Sequence, residues 1–501
     1  MKLLYLFNLV PFLFFLALLL GLIKQWRKYR EINPTKNLPP GPPKLPIIGN
    51  LHQLLGKLPH HAITDLARNK YGALMQMQLG EVSAVFISSP RLAKEIMKTH
   101  DLIFADRWQI LIWWFISYGG VDFAFAPYDN YWRQMRKICV QDFFSNKNVA
   151  LFGSIRHQEY SQFVDFIRSV GENVPINISE KIFSCTNGIV TRAVFGKACK
   201  DQKKLAEILK ETFAIGGGFG FADIFPSRKF LHFVMGTKRK LVRMRSKMDE
   251  ILDTMINEYI ENMEESTKEG NEKGNLIDVL LKARENGSYQ IPITNNSIKA
   301  IIFDMFAGGT ETSSTTVDWA MSEMLKNPQI MAKAQNEIRE AMKGKKTIYE
   351  DDLHKFHYLK LVVKETLRLH PPAPFLIPRK SRQDCEIDGC YIPAGTKMFV
   401  NAWAIGRDGE HWSEPESFIP ERFENNPIDF KGNDFEYLPF GAGRRMCPGI
   451  SFGIPNIELP LALLLFHFNW NLPAGHDLDM EEAMGLTATR KNHLWLVATP
   501  Y

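Results

Sequence analysis

One cysteine, set in a glycine-rich turn that opens straight into an apolar segment, constrains this chain more than any other feature: Pro439-Phe440-Gly441-Ala442-Gly443-Arg444-Arg445-Met446-Cys447-Pro448-Gly449. Gly441, Gly443 and Gly449 open backbone conformations that a Cβ forbids, so the chain can fold tightly beneath a flat partner and aim amide N–H groups at the sulfur. The run that follows, Ile450 to Phe468, reads as a helix. Its N-terminal dipole favours a negative sulfur, the form of cysteine that ligates a metal. Taken alone, Cys447 is equally compatible with an inert buried cysteine.

The other cysteines add no scaffold. Six are scattered between 139 and 447, too sparsely for a disulfide framework, and a reducing compartment follows. Cys385 and Cys390 lack the second ligand pair of a zinc site. The chain is 45% hydrophobic and 23% charged, proportions of a soluble body that exclude a multispan membrane protein. Its 501 residues are enough for about three domains, but no Gly/Ser/Pro linker divides them after residue 50, so one large globular body is expected. The net charge of +6 gathers at Lys238-Arg239-Lys240 with Arg243, Arg245 and Lys247. That pattern reads as a solvated helix face, with an anionic lipid surface as the alternative. No nucleic-acid fold signature accompanies it, and nucleic acid is excluded as a partner. The sequons at Asn177 and Asn295 stay unused in a cytosolic body.

Leu3 to Ile23 carries no charge and is long enough to span a bilayer. It ends in Gly-Leu-Ile-Lys with no small-x-small cleavage site, which makes it an uncleaved signal anchor. The basic residues behind it, Lys24, Arg27, Lys28 and Arg30, place the body on the cytosolic side. Asn37 to Pro46 is proline-rich and reads as a stiff spacer. Residues 1–23 are thus expected to be a transmembrane helix, 24–46 a basic and proline-rich hinge, and 47–501 the catalytic body.

Within the body, Leu74 to Ile87 suggests two strands around Gly80-Glu81, and Pro90 to His100 a short helix. The aromatic stretch Phe104, Trp108, Trp113, Trp114, Phe115, Tyr118, Phe123, Phe125 has no helical period and suggests a loop lining an apolar pocket. Trp132 and Arg136 fall one turn apart on one helix face. By spacing alone this is a cation–π surface pair; an indole N–H and a guanidinium would equally suit a carboxylate. Residues 150 to 260 carry helical patterns, and 262 to 275 reads as a polar surface loop. Gly216 to Phe221 lacks the strand-then-helix setting of a dinucleotide loop.

Ile298 to Leu325 reads as a long helix interrupted by Gly308-Gly309. Each glycine costs about 1 kcal/mol against alanine in a helix, so the pair needs a reason. Close approach of a flat ligand with local opening of the helix is one; helix packing is the other. Glu311 and Thr312 follow; by themselves they read as a solvated Glu after a helix-packing glycine pair, although a hydroxyl with a carboxylate behind it has the chemistry to relay protons. Glu365 and Arg368 form an i, i+3 pair worth about half a kcal/mol on an exposed helix.

The spacing Phe440-x-x-Gly443-x-Arg445-x-Cys447-x-Gly449 resembles the haem-binding signature of cytochrome P-450, the haem-thiolate monooxygenases. Anchor, proline hinge, Trp-x-x-x-Arg, acid–alcohol helix, Glu-x-x-Arg, Pro420-Glu421-Arg422-Phe423 and cysteine turn stand in that family's order over essentially the whole chain. The resemblance implies a mainly α fold with small β-sheets: a single large haem domain behind an N-terminal transmembrane helix. It implies haem b with Cys447 as the axial thiolate and metal ligand, Phe440 in the cysteine turn, and Trp132, Arg136, Arg379 and Arg445 toward the propionates. Glu311 and Thr312 resemble the acid–alcohol pair that delivers protons to dioxygen. Glu365, Arg368 and Arg422 resemble a structural network, and Met484-Gly485-Leu486-Thr487 a turn that touches substrate.

The resemblance further implies NADPH electrons supplied by a separate NADPH–cytochrome reductase flavoprotein, and an endoplasmic reticulum membrane location. The chain looks most like a plant microsomal enzyme of specialised metabolism. Phe104, Trp113, Phe115, Phe123, Phe219, Phe221, Phe303, Phe306, Phe375, Leu376 and Ile377 then suggest an apolar pocket for a neutral lipophilic substrate, a sesqui- or diterpenoid. An alkaloid is the alternative if Asp304 faces the pocket and pairs with an ammonium; a phenylpropanoid is another. A haem-thiolate isomerase or dehydratase that does not use dioxygen is disfavoured by the Glu311-Thr312 pair. A haem sensor or electron carrier would need neither that pair nor a deep pocket.

Overall fold

The computed structural model describes residues 37–171, 173–217, 219–228, 236–266, 275–285 and 289–501. The expected anchor and the basic half of the hinge lie outside the described residues. The proline-rich segment from Asn37 is extended but docked: the Pro40 carbonyl accepts from the Gln76 amide at 2.8 Å, and Asn50 Nδ2 donates to the Pro42 and Pro43 carbonyls.

The body is built around one long helix, Asn295–Lys326, the central helix. Thr294 and Ser297 close a reciprocal capping box at its start, which satisfies two amides that the first turn leaves unpaired. Nearly every residue from Ser297 to Met324 is buried, so this helix is sheathed by others rather than laid on a surface. Its neighbours are Ile178–Phe195 and the helix after the cysteine, Ile450–His467, which also packs on Gly153–Val170. The cysteine helix keeps Pro455 and Pro460 within it. Among the described residues it is the one helix long and apolar enough to cross a membrane, yet 61% of that stretch is buried inside the protein; its apolar character serves the core.

A five-stranded sheet flanks the helices, with spatial order Leu74–Leu79, Val82–Ile87, Lys397–Val400, Arg379–Lys380, Asp106–Arg107. The first two form the expected hairpin, Leu74 opposite Ile87 and Leu79 opposite Val82, turning at Gly80 with φ +59°. Val82–Ile87 runs parallel to Lys397–Val400; the remaining pairs are antiparallel. The pairing sets Arg107 opposite Arg379, two cations from distant segments on neighbouring strands.

Three local expectations change. The aromatic stretch contains a short helix, Leu111–Ile116, closed by Tyr118, Gly119 and Gly120 at positive φ. The helix Thr237–Ser266 runs into the segment expected to be a loop from 262, because polar residues of high helix propensity extend a helix whose buried face is already anchored by Leu241, Met244, Met248 and Leu252. Gly449 has φ −92°, so it does not need to be glycine for its backbone. The basic run at 238–247 lies on the outer face of that same helix, except that Arg245 folds back onto the Phe115 carbonyl and the Tyr118 ring.

Candidate active site

The cysteine turn is held by contacts that leave little choice of residue. Gly441 and Gly443 sit at φ +67° and +69°, left-handed conformations that favour glycine. A Cβ on Gly443 would lie 2.1 Å from the Met97 carbonyl oxygen. The Cys447 amide donates to the Phe440 carbonyl at 3.0 Å, which closes the loop and fixes the sulfur. Cys447 counts as exposed, but the surface it exposes belongs to an internal cavity of about 270 Å3. Burial pushes its thiol up, while the Gly449 amide and the Arg136 guanidinium act in the opposite direction.

Four guanidiniums line the same cavity: Arg107, Arg136, Arg379 and Arg445. Arg445 donates to the carbonyls of Ala105 and Ala126 at 2.7 and 2.5 Å. Arg107 donates to Ala124 and Ile377 carbonyls, and Arg136 to that of Met446. Arg379 alone has a close carboxylate, Asp101 at 2.8 Å. Burial pulls Arg445 down to about 9, and the neighbouring Arg379 adds to the effect; Arg107 is driven well down by burial and by the other three arginines. Asp122 and Asp106 also act on Arg445, but Asp122 is pushed up to about 7 by burial and so carries only part of a charge at neutral pH. The cavity wall thus holds a cationic surplus that an anionic ligand would relieve. A flat group bearing two carboxylates and requiring one sulfur ligand fits this donor set.

Trp132 stands behind that wall. Its indole N–H donates to the Phe123 carbonyl at 2.8 Å, and its ring stacks under Arg445 at 4.3 Å and Arg136 at 5.4 Å. Of the expected residues, the structure brings Arg136, Arg379, Phe440, Arg445, Cys447 and Thr312 together on the cavity and sets Trp132 and Glu311 one layer back. Arg107 was not anticipated. Its signal, an Asp-Arg pair inside the aromatic stretch between Phe104 and Trp108, is too short to read without the strand pairing that sets it against Arg379.

On the opposite wall, the two helix glycines have different reasons. A Cβ on Gly308 would meet nothing within 4 Å, so that side opens to the cavity; one on Gly309 would lie 2.9 Å from Val190 Cγ2, a helix-packing contact. Thr312 Oγ1 donates to the Gly308 carbonyl at 2.6 Å, leaving its lone pairs available on the cavity side. Glu311 points away from that threonine: its Oε1 accepts from Thr487 Oγ1 at 2.6 Å, and Oε2 is buried without a hydrogen bond. Burial pushes its carboxyl up to about 7, against the pull of Thr487 and Lys210.

The apolar wall only partly matches expectation. Trp113, Phe123, Leu376 and Ile377 line the cavity; Phe219 and Phe375 line a smaller adjoining one. Phe104, Phe303 and Phe306 are core residues, while Phe115 and Phe221 pack against the core half-buried. In their place the wall uses Phe125, Phe143, Phe144, Phe213, Phe452 and Leu486. Asp304 reaches the cavity, but its Oδ2 accepts the amides of Phe123 and Ala124 at 2.9 and 3.2 Å, and burial beside Asp122 raises its carboxyl well above the usual range.

Below the cysteine turn, Glu365 accepts two bonds of 2.8 Å from Arg368, one of 2.9 Å from Arg422 and the Ile419 amide. The expected network is present, with Glu365 and Arg368 at 0% side-chain exposure and Arg422 reaching the surface at 7%.

A helical body with a five-stranded sheet and smaller sheets packed on it, around an apolar cavity that holds one cysteine and a cationic rim, defines a haem-thiolate type of enzyme. The chain belongs to the cytochrome P-450 family, whose model matches residues 39–497. It is 52% identical over 499 residues to premnaspirodiene oxygenase of Hyoscyamus muticus, covering 99% of this chain and 98% of that one. It is 54% identical over 475 residues to tabersonine 3-oxygenase of Catharanthus roseus, covering 93% of each. A solved zebrafish cytochrome P-450 with abiraterone superposes with a TM-score of 0.75 at 24% identity, over 88% of this chain and 99% of that one. The protein is therefore a monooxygenase, an oxidoreductase of a family that carries haem on a cysteine thiolate.

Proposed function

We propose that the protein hydroxylates, or further oxidises, a neutral lipophilic plant metabolite of sesqui- or diterpenoid size, at the cavity where Cys447 meets an apolar wall. Cys447 would hold the iron of haem b through its thiolate, and the guanidiniums of Arg136, Arg379 and Arg445, with Arg107, would take the propionates. When bound, the haem supplies the activation of dioxygen with NADPH electrons, delivered by a separate NADPH–cytochrome reductase flavoprotein. Trp132 acts through Arg445, as the surface against which that guanidinium lies flat. Thr312 presents hydroxyl lone pairs to the cavity, and Glu311, with a carboxyl near pH 7, holds or releases a proton behind it. The wall of phenylalanines, Trp113 and aliphatic side chains binds by burial at about 25 cal/mol per Å2 and keeps water from the reacting carbon. The anchor expected at residues 1–23 holds the body at the cytosolic face of the endoplasmic reticulum.

The state of Asp304 carries the choice of substrate. The relatives' names include both a premnaspirodiene oxygenase and a tabersonine 3-oxygenase, so kinship does not choose the substrate. An ammonium needs a carboxylate, and Asp304 is raised well above its usual range by burial and Asp122 while already accepting two amides. A neutral ligand therefore suits this wall better. Binding spectra of the haem-loaded protein test this. Sesquiterpene hydrocarbons and alcohols are expected to shift the haem spin state, with Cys447→Ser losing the thiolate-type carbon monoxide spectrum. If only amine-bearing indoles shift it, and Asp304→Asn removes that shift, the terpenoid reading is wrong.

A further inference from the structure

Thr487 lies in the turn between the strands Glu482–Met484 and Ala488–Arg490, buried at 4% exposure yet on the wall of both the main cavity and its smaller neighbour. Its single hydroxyl proton goes to Glu311 Oε1 at 2.6 Å. The turn is itself pinned: the Leu486 amide donates to the Phe213 carbonyl at 3.0 Å and the Ala488 amide to that of Pro372 at 2.9 Å. A fixed hydroxyl therefore holds one oxygen of Glu311 and leaves the other, Oε2, buried without a partner.

From this geometry we infer that Thr487 is a positioning residue, which orients the Glu311 carboxyl and sets the pH at which it gives up its proton, so that a turn on the cavity wall also governs proton supply. The inference rests on the reading of Glu311 as proton donor. A hydroxyl has one proton to give, and a donated hydrogen bond stabilises the carboxylate over the acid. Anything in the cavity that displaces Leu486 or Thr487, or competes for that hydroxyl, weakens the bond and leaves Glu311 protonated and free to turn toward Thr312. Among the described residues, the charged group that bears on Glu311 is Lys210, from the helix Gln202–Ile215; it acts in the same direction as Thr487 and against burial, which dominates.

The test uses the haem-loaded, membrane-bound protein and three variants: Thr487→Val, Thr487→Ser and Glu311→Gln. In infrared titrations of the resting ferric protein, the carboxylic acid band absent from Glu311→Gln should titrate near pH 7 in the parent. It should titrate about 1–2 pH units higher in Thr487→Val, the worth of a hydrogen bond to a charged group, and return in Thr487→Ser. The pH above which product per NADPH falls should move by the same amount. An infrared band that does not move in Thr487→Val overturns the inference. A band that moves while Glu311→Gln keeps the parental pH profile of coupling shows that Thr487 sets the carboxyl but that Glu311 is not the proton donor.

Discussion

Replacing Glu365 with Gln should destabilise the folded body more than any surface ion pair could. The change keeps the shape of the side chain and removes its charge. Arg368 is fully buried and Arg422 has 7% of its side chain exposed, so both guanidiniums lose the anion that offsets their desolvation. Arg368 keeps its bonds to the carbonyls of Gly406, Pro415 and Ser417, which soften the loss without supplying charge. Breaking a buried pair by removing one partner costs about 3–5 kcal/mol, whereas the same Glu-x-x-Arg spacing on an exposed helix is worth only about 0.5 kcal/mol. Set against a total stability of about 5–15 kcal/mol, the larger figure predicts a melting temperature lower by several degrees and faster proteolysis within 413–423, the segment that Glu365 and the two arginines tie down. Thermal unfolding of the haem-loaded protein by fluorescence, with proteolytic mapping, checks both. A variant that melts within one degree of the parent would show that the carbonyl bonds alone satisfy the arginines, and the charge argument would be wrong.

Gly443→Ala should abolish stable haem loading, because its Cβ would lie 2.1 Å from the Met97 carbonyl and 2.8 Å from Asp101 Oδ2 at a φ of +69°; absorbance of the purified protein per mole of chain reads this directly, and normal loading would refute it. Glu458→Gln, in the cysteine helix, should stabilise the protein at pH 8 and do nothing at pH 4. Burial raises the Glu458 carboxyl to about 7 from 4.5, so the parent's stability is complete below 4.5 and falls as pH rises through 7, by up to about 3 kcal/mol. Melting curves of both proteins across that range should converge at the acid end.

Much of the site was legible because its chemistry is local in sequence. The cysteine turn, the helix that follows it, the paired strands around Gly80 and the central helix carry their signals within a dozen residues each, and all four stand where they were expected. What could not be read depends on which distant segments meet. Arg107 became a member of the cationic rim through strand pairing with Arg379. The rank of Phe303 and Phe306 as core, and of Phe143, Phe144 and Phe452 as wall, follows from how helices rotate against each other, which a run of aromatics does not encode. The Glu365 pair looked ordinary by spacing; its burial, and so its energetic weight, comes from the 413–423 loop folded over it. Glu311 and Thr312 are adjacent in sequence, yet the carboxyl turns to Thr487, from a turn far along the chain.

Phe123 shows why an aromatic stretch without period becomes an ordered wall. Its carbonyl accepts from Trp132 Nε1 at 2.8 Å and, at 3.4 Å, from Arg445; its amide donates to Asp304 at 2.9 Å. Helix, cysteine turn and central helix each hold one side of a single peptide pair, so the backbone polar groups of this loop are paired although no ladder or helix pairs them. Asp304 is tied to the same residue that Arg445 reaches; engaged by two amides and raised by burial beside Asp122, it adds little negative charge to a wall whose charge is set by Arg445 and its neighbours. A ligand bringing an ammonium beside Asp304 would lose its hydration with no carboxylate to replace it, so on the proposed reading the shape of an apolar skeleton, rather than ion pairing with Asp304, does the selecting there.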